Sequence, residues 1–282
     1  MAFNYKLLII IPIALQIFAV SVIMNHYLVS GEFFERAIDL KGGTAITVTS
    51  GPVDINSIKS SLSAKFGTVN IREFRGISGT GIIVEFDTET DSDGVIQELK
   101  SLGIDTRGSS IESVNPALGE AFWIQGQIGI ILAFIMMGVI VFILFRTFVP
   151  SLAVILSATS DILVTLSMML IFNIEVSLAA IAALLMLIGY SVDTDIMLTS
   201  RLLKTRGSGI PKKIKSAFKT GITMTLTSVV AITAILLSSI SPVLAQIASI
   251  LLMGLLADLV FTWCQNSVIL RWYCERRHIG DE

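Results

Sequence analysis

Four aspartates, Asp161, Asp193, Asp195 and Asp258, lie inside long apolar stretches of this 282-residue chain. A carboxylate at the centre of a bilayer costs roughly 2.5–3.5 kcal/mol on insertion scales, so such residues face a bundle interior or a water path and often mark proton or ion relays. Asp193 and Asp195 close the run Ile188-Gly189-Tyr190-Ser191-Val192-Asp193-Thr194-Asp195. Two helix positions apart, they point about 200° apart, so only one of them can face a given neighbour. Asp193 lies deeper, roughly 12 Å of helix before Arg201. Asp195 is nearer the interface, where reaching to headgroup water is its expected role. Asp193 is therefore the expected ion carrier, with Asp195, Asp258 and Asp161 as further candidates. No Lys or Arg sits inside the other apolar stretches to neutralise it.

The competing reading is structural. Intramembrane aspartates also serve as hydrogen-bond links between helices, contacting Ser or Thr. The fifth apolar stretch offers Thr220, Thr223, Thr225, Thr227 and Ser228. Thr220, Thr223 and Thr227 share a helix face. They form either a polar stripe beside an aspartate or a row of hydroxyls bonded to their own i−4 carbonyls. Tyr190 and Lys219 are further polar candidates. Other chemistries lack their residues. Cys264 and Cys274 show no zinc spacing, His26 and His278 lie far apart, and there is no Walker A loop and no His-Glu-x-x-His. Neither a metal centre nor an enzyme activity is expected.

These carboxylates must be positioned by membrane helices. The chain is 53% hydrophobic and 15% charged, with mean hydropathy +0.80, against about 25% charged residues in soluble domains. Hydropathy predicts six spans, at 7–29, 124–145, 151–172, 177–199, 220–240 and 244–270, each long enough to cross about 30 Å of hydrocarbon. The first reads as an uncleaved signal-anchor. Ala179, Ala180, Ala182, Ala183 and Gly189 predict close helix packing in the fourth. Arg146, the basic loop from Arg201 through Arg206 to Lys219, and Arg271, Arg276 and Arg277 lie in short connections or the tail. The positive-inside rule places them in the cytoplasm. Both termini are then cytoplasmic and both cysteines reduced. The expected organisation is a first span in 1–29, an external domain in 30–123, a helical bundle in 124–270 and a cytoplasmic tail in 271–282. Acidic residues outnumber Lys and Arg in 30–123, consistent with translocation.

The 30–123 segment has its own periodicity. Strands are predicted at 44–50, 68–75, 80–87 and 104–114, with a Gly/Ser turn over 76–79. Helices are predicted at 54–66, capped by Asp54, and at 92–102, capped by Ser92. The order βαββαβ is the split-βαβ, ferredoxin-like pattern. Two loop motifs flank it. Asp39-Leu40-Lys41-Gly42-Gly43-Thr44 reads as a glycine turn into a strand, too short to hold a nucleotide. Asn115-Pro116-Ala117-Leu118-Gly119 reads as a linker or hinge.

Taken in order and spacing, the Asp39–Thr44 motif, the Asn115–Gly119 motif, the Ile188–Asp195 motif and Met224-Thr225-Leu226-Thr227-Ser228 resemble the protein-export membrane proteins of the SecD/SecF family, relatives of the RND transporters. The resemblance covers essentially the whole chain. The outer domain is the size found in the SecF branch, and the Asp-Thr-Asp form is that of its archaeal members. The resemblance implies a six-span RND-like half carrying one ferredoxin-like α/β domain. It also implies an accessory subunit of the Sec translocon in the cell membrane, paired with SecD. Further partners would be the translocon channel, the exported polypeptide and the lipid bilayer, with no nucleic acid. Coupling would be to a proton or sodium gradient, with no cofactor. The family's ion-carrying position falls on Asp193, with Asp195 beside it, and a family arginine falls near Lys219. Asp39, Gly42, Gly43, Pro116, Gly119 and Gly189 are the motif positions. The alternatives are an RND-like exporter of small molecules or lipids, or the SecD-type paralogue. An intramembrane aspartyl protease would require Gly-x-Gly-Asp where this chain has Ser-Val-Asp, and a passive scaffold leaves four buried carboxylates without a role.

Overall fold

The computed structural model describes residues 5–49, 53–76, 79–205, 209–238 and 241–277. Ser50, the 77–78 tip of the Gly/Ser turn, Arg206, the 239–240 end of the fifth span and the tail with His278 lie outside the described residues. Among those described, six helices are long and apolar enough to cross a membrane. A 3-10 turn, Tyr5–Ile9, leads into α1 (Ile10–Ser30), which ends at Gly31 in the left-handed region. After the α/β domain come α5 (Pro116–Phe145), α6 (Phe148–Ile171), α7 (Leu178–Lys204) and α8 (Ile210–Ser238). The last helix runs continuously from Pro242 to Arg276: α9 (Pro242–Val260), a π-helical turn (Phe261–Asn266) and α10 (Ser267–Arg276). The intervening domain holds α2 (Ile38–Lys41), β1 (Gly43–Thr49), α3 (Ile55–Phe66), β2 (Asn70–Gly76), β3 (Gly79–Phe86), α4 (Ser92–Ser101) and β4 (Ser110–Val114).

The helices are not equivalent. α6, α7 and α9 supply most of the bundle core, including Val154, Ala158, Leu184, Leu187, Ile250 and Leu255, whereas α1, α5 and α8 keep most of their apolar windows exposed to the surroundings. α7 and α9 cross closely because Gly254 has no side chain. A Cβ built there would lie 2.3 Å from Leu187 Cδ2, so any larger residue forces Leu187 aside. This is the small-residue packing expected for helices that associate in lipid, though the glycine that makes it is Gly254. Gly189 and Ala182 point outward, and a Cβ on Gly189 would meet nothing within 4 Å.

The small domain is a four-stranded antiparallel sheet in the order β2-β3-β1-β4. Its alternation is the period-2 pattern of a half-buried sheet. Ile46, Val48, Ile71, Ile82 and Val84 turn to one face and meet Ile58 and Leu62 of α3 and Val95 and Leu99 of α4 in a core separate from that of the bundle. Asp54 caps α3 by accepting from Asn56 N at 3.0 Å. The cap of α4 is Asp91, not Ser92, because the Asp91 carboxylate accepts from Asp93 N at 3.1 Å while Ser92 is already the first helical residue. The last strand is shorter than expected, since residues 104–109 are irregular, with a turn at 107–108, and only Ser110–Val114 pair, with β1.

The two loop motifs meet. Asp39-Leu40-Lys41 completes a helical turn, and the expected glycine turn into a strand follows it at Gly42, with β1 starting at Gly43. Gly42 then takes φ +82°, and a Cβ there would lie 2.4 Å from Pro116 Cα. Gly119 faces the same backbone, its virtual Cβ 2.8 Å from Gly42 N. The segment before α2 is stitched to the α6–α7 loop by Ala37 N to Val176 O (2.9 Å) and Val176 N to Glu35 O (2.8 Å). Asp39 Oδ2 accepts from Leu178 N at 2.6 Å, at the positive end of α7. Pro116 starts α5 ahead of the hydrophobic run because its missing N–H would be unpaired there anyway, and Asn115 caps it through Ala117 N.

Candidate functional site

Three of the four aspartates converge. Asp161 of α6, Asp195 of α7 and Asp258 of α9 are 0%, 0% and 1% exposed in the middle of the bundle. Each is supplied by one of the three core helices, so packing those helices together forces the carboxyls together. Ser191 Oγ donates to Asp161 Oδ2 at 2.5 Å. Asn266 Nδ2 donates to Asp195 Oδ1 at 2.6 Å. The Thr262 hydroxyl lies 2.9 Å from Asp195 Oδ1 and 3.0 Å from Asp258 Oδ1. One oxygen of each carboxyl, Asp161 Oδ1, Asp195 Oδ2 and Asp258 Oδ2, has no hydrogen-bond partner. No Lys or Arg among the described residues pairs with any of the three.

The electrostatics follow from that arrangement. Buried carboxylates are tolerated when paired with cations or fully hydrogen-bonded. Here the donors are neutral hydroxyls and one amide. Three negative charges packed together in a medium of low dielectric repel strongly. Such an arrangement can take up a proton or a cation and so relieve that repulsion.

The π-helical turn brings the last donors in. Asp258, Thr262 and Asn266 follow at four-residue intervals, and the wide turn between Phe261 and Asn266 keeps all three toward Asp195. π-turns in long helices recur at functional sites. A second polar patch adjoins it: Gln16 of α1 donates to Ser160 Oγ at 2.5 Å and to Gln265 Oε1 at 2.8 Å.

Asp193 and Asp195 do point to different sides, but Asp195 is the inward one. The expectation that Asp195 reaches to the interface is overturned, because its carboxyl is enclosed by α7, α9 and the π-turn. Asp193 turns outward with Ala182, Met186, Gly189 and Tyr190, all on one exposed face of α7. Thr223 and Thr227 are also exposed. Their hydroxyls bond to the carbonyls of Lys219 and Thr223, both at 2.8 Å, so they serve their own helix. Lys219 is exposed, and Thr220 instead receives the Arg201 guanidinium at 2.9 Å. Asp39, Gly42, Gly43, Pro116 and Gly119 build the junction between the two parts of the molecule, away from the cluster. Ser191, Thr262, Gln265, Asn266 and Gln16 were not singled out by the sequence. The readable signal was the polar run Gln265-Asn266-Ser267 ending an otherwise apolar span.

The family model for the protein-export membrane protein SecD/SecF C-terminal region matches residues 94–276, which contain all four aspartates. The chain belongs to the SecD/SecF family. Among curated SecD/SecF relatives, a protein-export membrane protein SecF of Pyrococcus furiosus is 38% identical over 273 residues, covering 96% of this chain and 92% of that one. Another, from Methanothermobacter thermautotrophicus, is 39% identical over 280 residues, covering 97% and 94%. The fold is also that of a solved structure, SecDF of Thermus thermophilus, described as a translocon-associated membrane protein. The TM-score is 0.77 at 22% identity, over 97% of this chain and 39% of that one. The present chain thus spans about two fifths of that SecDF polypeptide.

Proposed function

We propose that this chain works in protein export as a SecF-type subunit, and that Asp161, Asp195 and Asp258 form its proton-holding element. The observation that carries the second part is the meeting of three carboxyls from three core helices without a cation. A proton requires no coordination shell, and each of the three carboxyls has one oxygen free to take it up. Alternate protonation of such a cluster changes the repulsion between α6, α7 and α9, and so couples an ion gradient to helix packing. The six-helix bundle reads as an RND-like half, and the small domain, with its βαββαβ order, as a ferredoxin-like unit. The positive-inside distribution puts that domain outside and both termini in the cytoplasm of the cell membrane.

Asp193 has a different part. A carboxylate on an outward helix face, beside Gly189 and Tyr190, is costly against lipid and favourable against a partner helix that approaches over the glycine and offers a donor. We assign that face to SecD. The polypeptide in transit and the translocon channel are the remaining partners of the complex.

The test is gradient-dependent stimulation of reporter export in membranes, with copurification of SecD as the assembly control. Asp195→Asn and Asp258→Asn are expected to lose most of the stimulation while SecD still copurifies. Asp193→Asn is expected to weaken copurification. Full stimulation in both Asp195→Asn and Asp258→Asn would overturn the proton-holding role. Loss of SecD in those two variants would show the cluster to be a structural link between helices.

A further inference from the structure

A groove on the outer side of the bundle has a charged mouth. α5 and α6 diverge from the tight turn at Arg146-Thr147 and touch again at Gly138, where a Cβ would lie 3.2 Å from Ile155 Cδ1. Along this seam the two helices leave a groove of 420 Å³. Ile135, Val139, Phe142 and Ile143 of α5 form one wall, and Phe148 and Leu152 of α6 the other. Ile143 and Phe148 are 64% and 71% exposed. Ser151 also lines the groove, but its hydroxyl donates to Thr147 O at 2.8 Å and so serves its own helix. From Phe134 to Ile143 the groove follows roughly 14 Å of helix, about half of the ~30 Å hydrocarbon core. Its far end is cationic. Arg146, in the left-handed region at φ 51°, is exposed, and Lys204 Nζ lies 5.7 Å from the ring centre of Phe145, the residue before it. Neither cation joins an ion pair among the described residues. The sequence holds no Asp or Glu from Ala121 to Ser160 or from Ile196 to Ala257. Thr147 makes no cap hydrogen bond to α6 and its hydroxyl has no partner, so the positive end of that helix faces the same spot uncapped.

We propose that this groove binds one anionic phospholipid, with an acyl chain lying between α5 and α6 and the phosphate held by Arg146 and Lys204 at the start of α6. Place decides the chain. An exposed apolar groove at membrane depth, one leaflet long, fits a single hydrocarbon tail. Charge decides the headgroup. A zwitterionic lipid brings a cation of its own to the site. An anionic one neutralises two cations that the neighbouring sequence leaves without a carboxylate. The Arg146 guanidinium can take two phosphate oxygens in its fork, Lys204 adds a point charge, and the N-terminus of α6 favours an anion. The positive-inside rule accounts for cations on this side of the membrane, but not for an apolar groove that ends beside two of them. Filling the groove also packs α5, most of whose apolar window is exposed, against α6.

The test is a competition between two lipids for the full chain in detergent micelles, read by native mass spectrometry. The probes are palmitoyl-oleoyl phosphatidylglycerol and palmitoyl-oleoyl phosphatidylcholine in equal amounts. One phosphatidylglycerol is expected to stay bound once the micelle is stripped away, preferred over phosphatidylcholine by roughly tenfold from two interfacial cations. Replacing both exposed cations, Arg146→Gln with Lys204→Gln, is expected to bring that preference close to parity. Lys212→Gln, at an exposed cation of α8 outside the groove lining, is expected to leave it unchanged. Gly138→Leu, which fills the groove from within, is expected to reduce retention of both lipids. Equal retention of the two lipids by the parent chain overturns the proposal. So does an undiminished preference in the double variant. An equal loss in Lys212→Gln would assign the effect to the basic face as a whole, and loss of the lipid on binding SecD would give the groove to a partner helix; either result also overturns the site.

Discussion

At the residue scale, the cluster rests on which polar atoms satisfy which. Asp195 accepts from Asn266 and from the Thr262 hydroxyl, and Asn at this position retains an acceptor oxygen while removing a buried charge. Asp195→Asn is therefore expected to melt in detergent at the parent temperature or above it. Asp195→Leu removes the acceptor, leaves the Asn266 amide and the Thr262 hydroxyl unpaired, and is expected to lose about 1–3 kcal/mol. Comparing the two by thermal unfolding separates the cost of the charge from the worth of the hydrogen bonds. Equal melting of the two variants would mean that the donors find other partners. That an aspartate would matter here was legible from one residue type in an apolar setting. Which of Asp193 and Asp195 faces inward was not, because the spacing says only that they diverge.

At the element scale, the junction between the small domain and the bundle is made where two short motifs touch. Gly42 combines a left-handed φ with a backbone approach that leaves no room for a Cβ against Pro116. Gly42→Ala meets both penalties and is expected to cost roughly 1–3 kcal/mol. Its signature would be earlier proteolytic cleavage near residues 42–43 in the full chain. An unchanged cleavage pattern and melting temperature would show that Pro116 moves aside freely. The sequence showed both glycines and the proline as punctuation, but not that they form one contact, since Gly42 and Pro116 are separated by the whole α/β domain. The caps were partly legible. Asp54 was identified, whereas Ser92 stood in for its neighbour Asp91, because two good capping residues in a row differ only in which one the chain leaves outside the helix.

At the scale of the whole molecule, the placement of charge sets the orientation in the membrane. The basic loop between α7 and α8 and the acidic small domain are expected on opposite sides of the membrane. In intact cells lacking the native cysteines, an impermeant maleimide is expected to label Ser60→Cys on α3. Lys212→Cys on α8 is expected to react only after permeabilisation. The reverse pattern would invert the assignment. The two separate hydrophobic cores, one under the sheet and one among α6, α7 and α9, make the small domain and the bundle two packing units that meet at the Gly42–Pro116 contact.

The sequence by itself determined six apolar helices, the βαββαβ order and four costly aspartates, because these follow from hydropathy, from periods of 2 and 3.6, and from the energy of a charge in hydrocarbon. The tertiary structure alone decided that Asp161, Asp195 and Asp258 form one cluster while Asp193 looks outward. It also decided that a π-turn carries Thr262 and Asn266 to that cluster, and that Glu175 of the α6–α7 loop meets Arg72 of β2 across the junction. The physical reason is common to all three. Each contact joins residues far apart in the chain, and the rotation of a helix about its axis is fixed only by the neighbours that pack against it, here through Gly254 and Leu187.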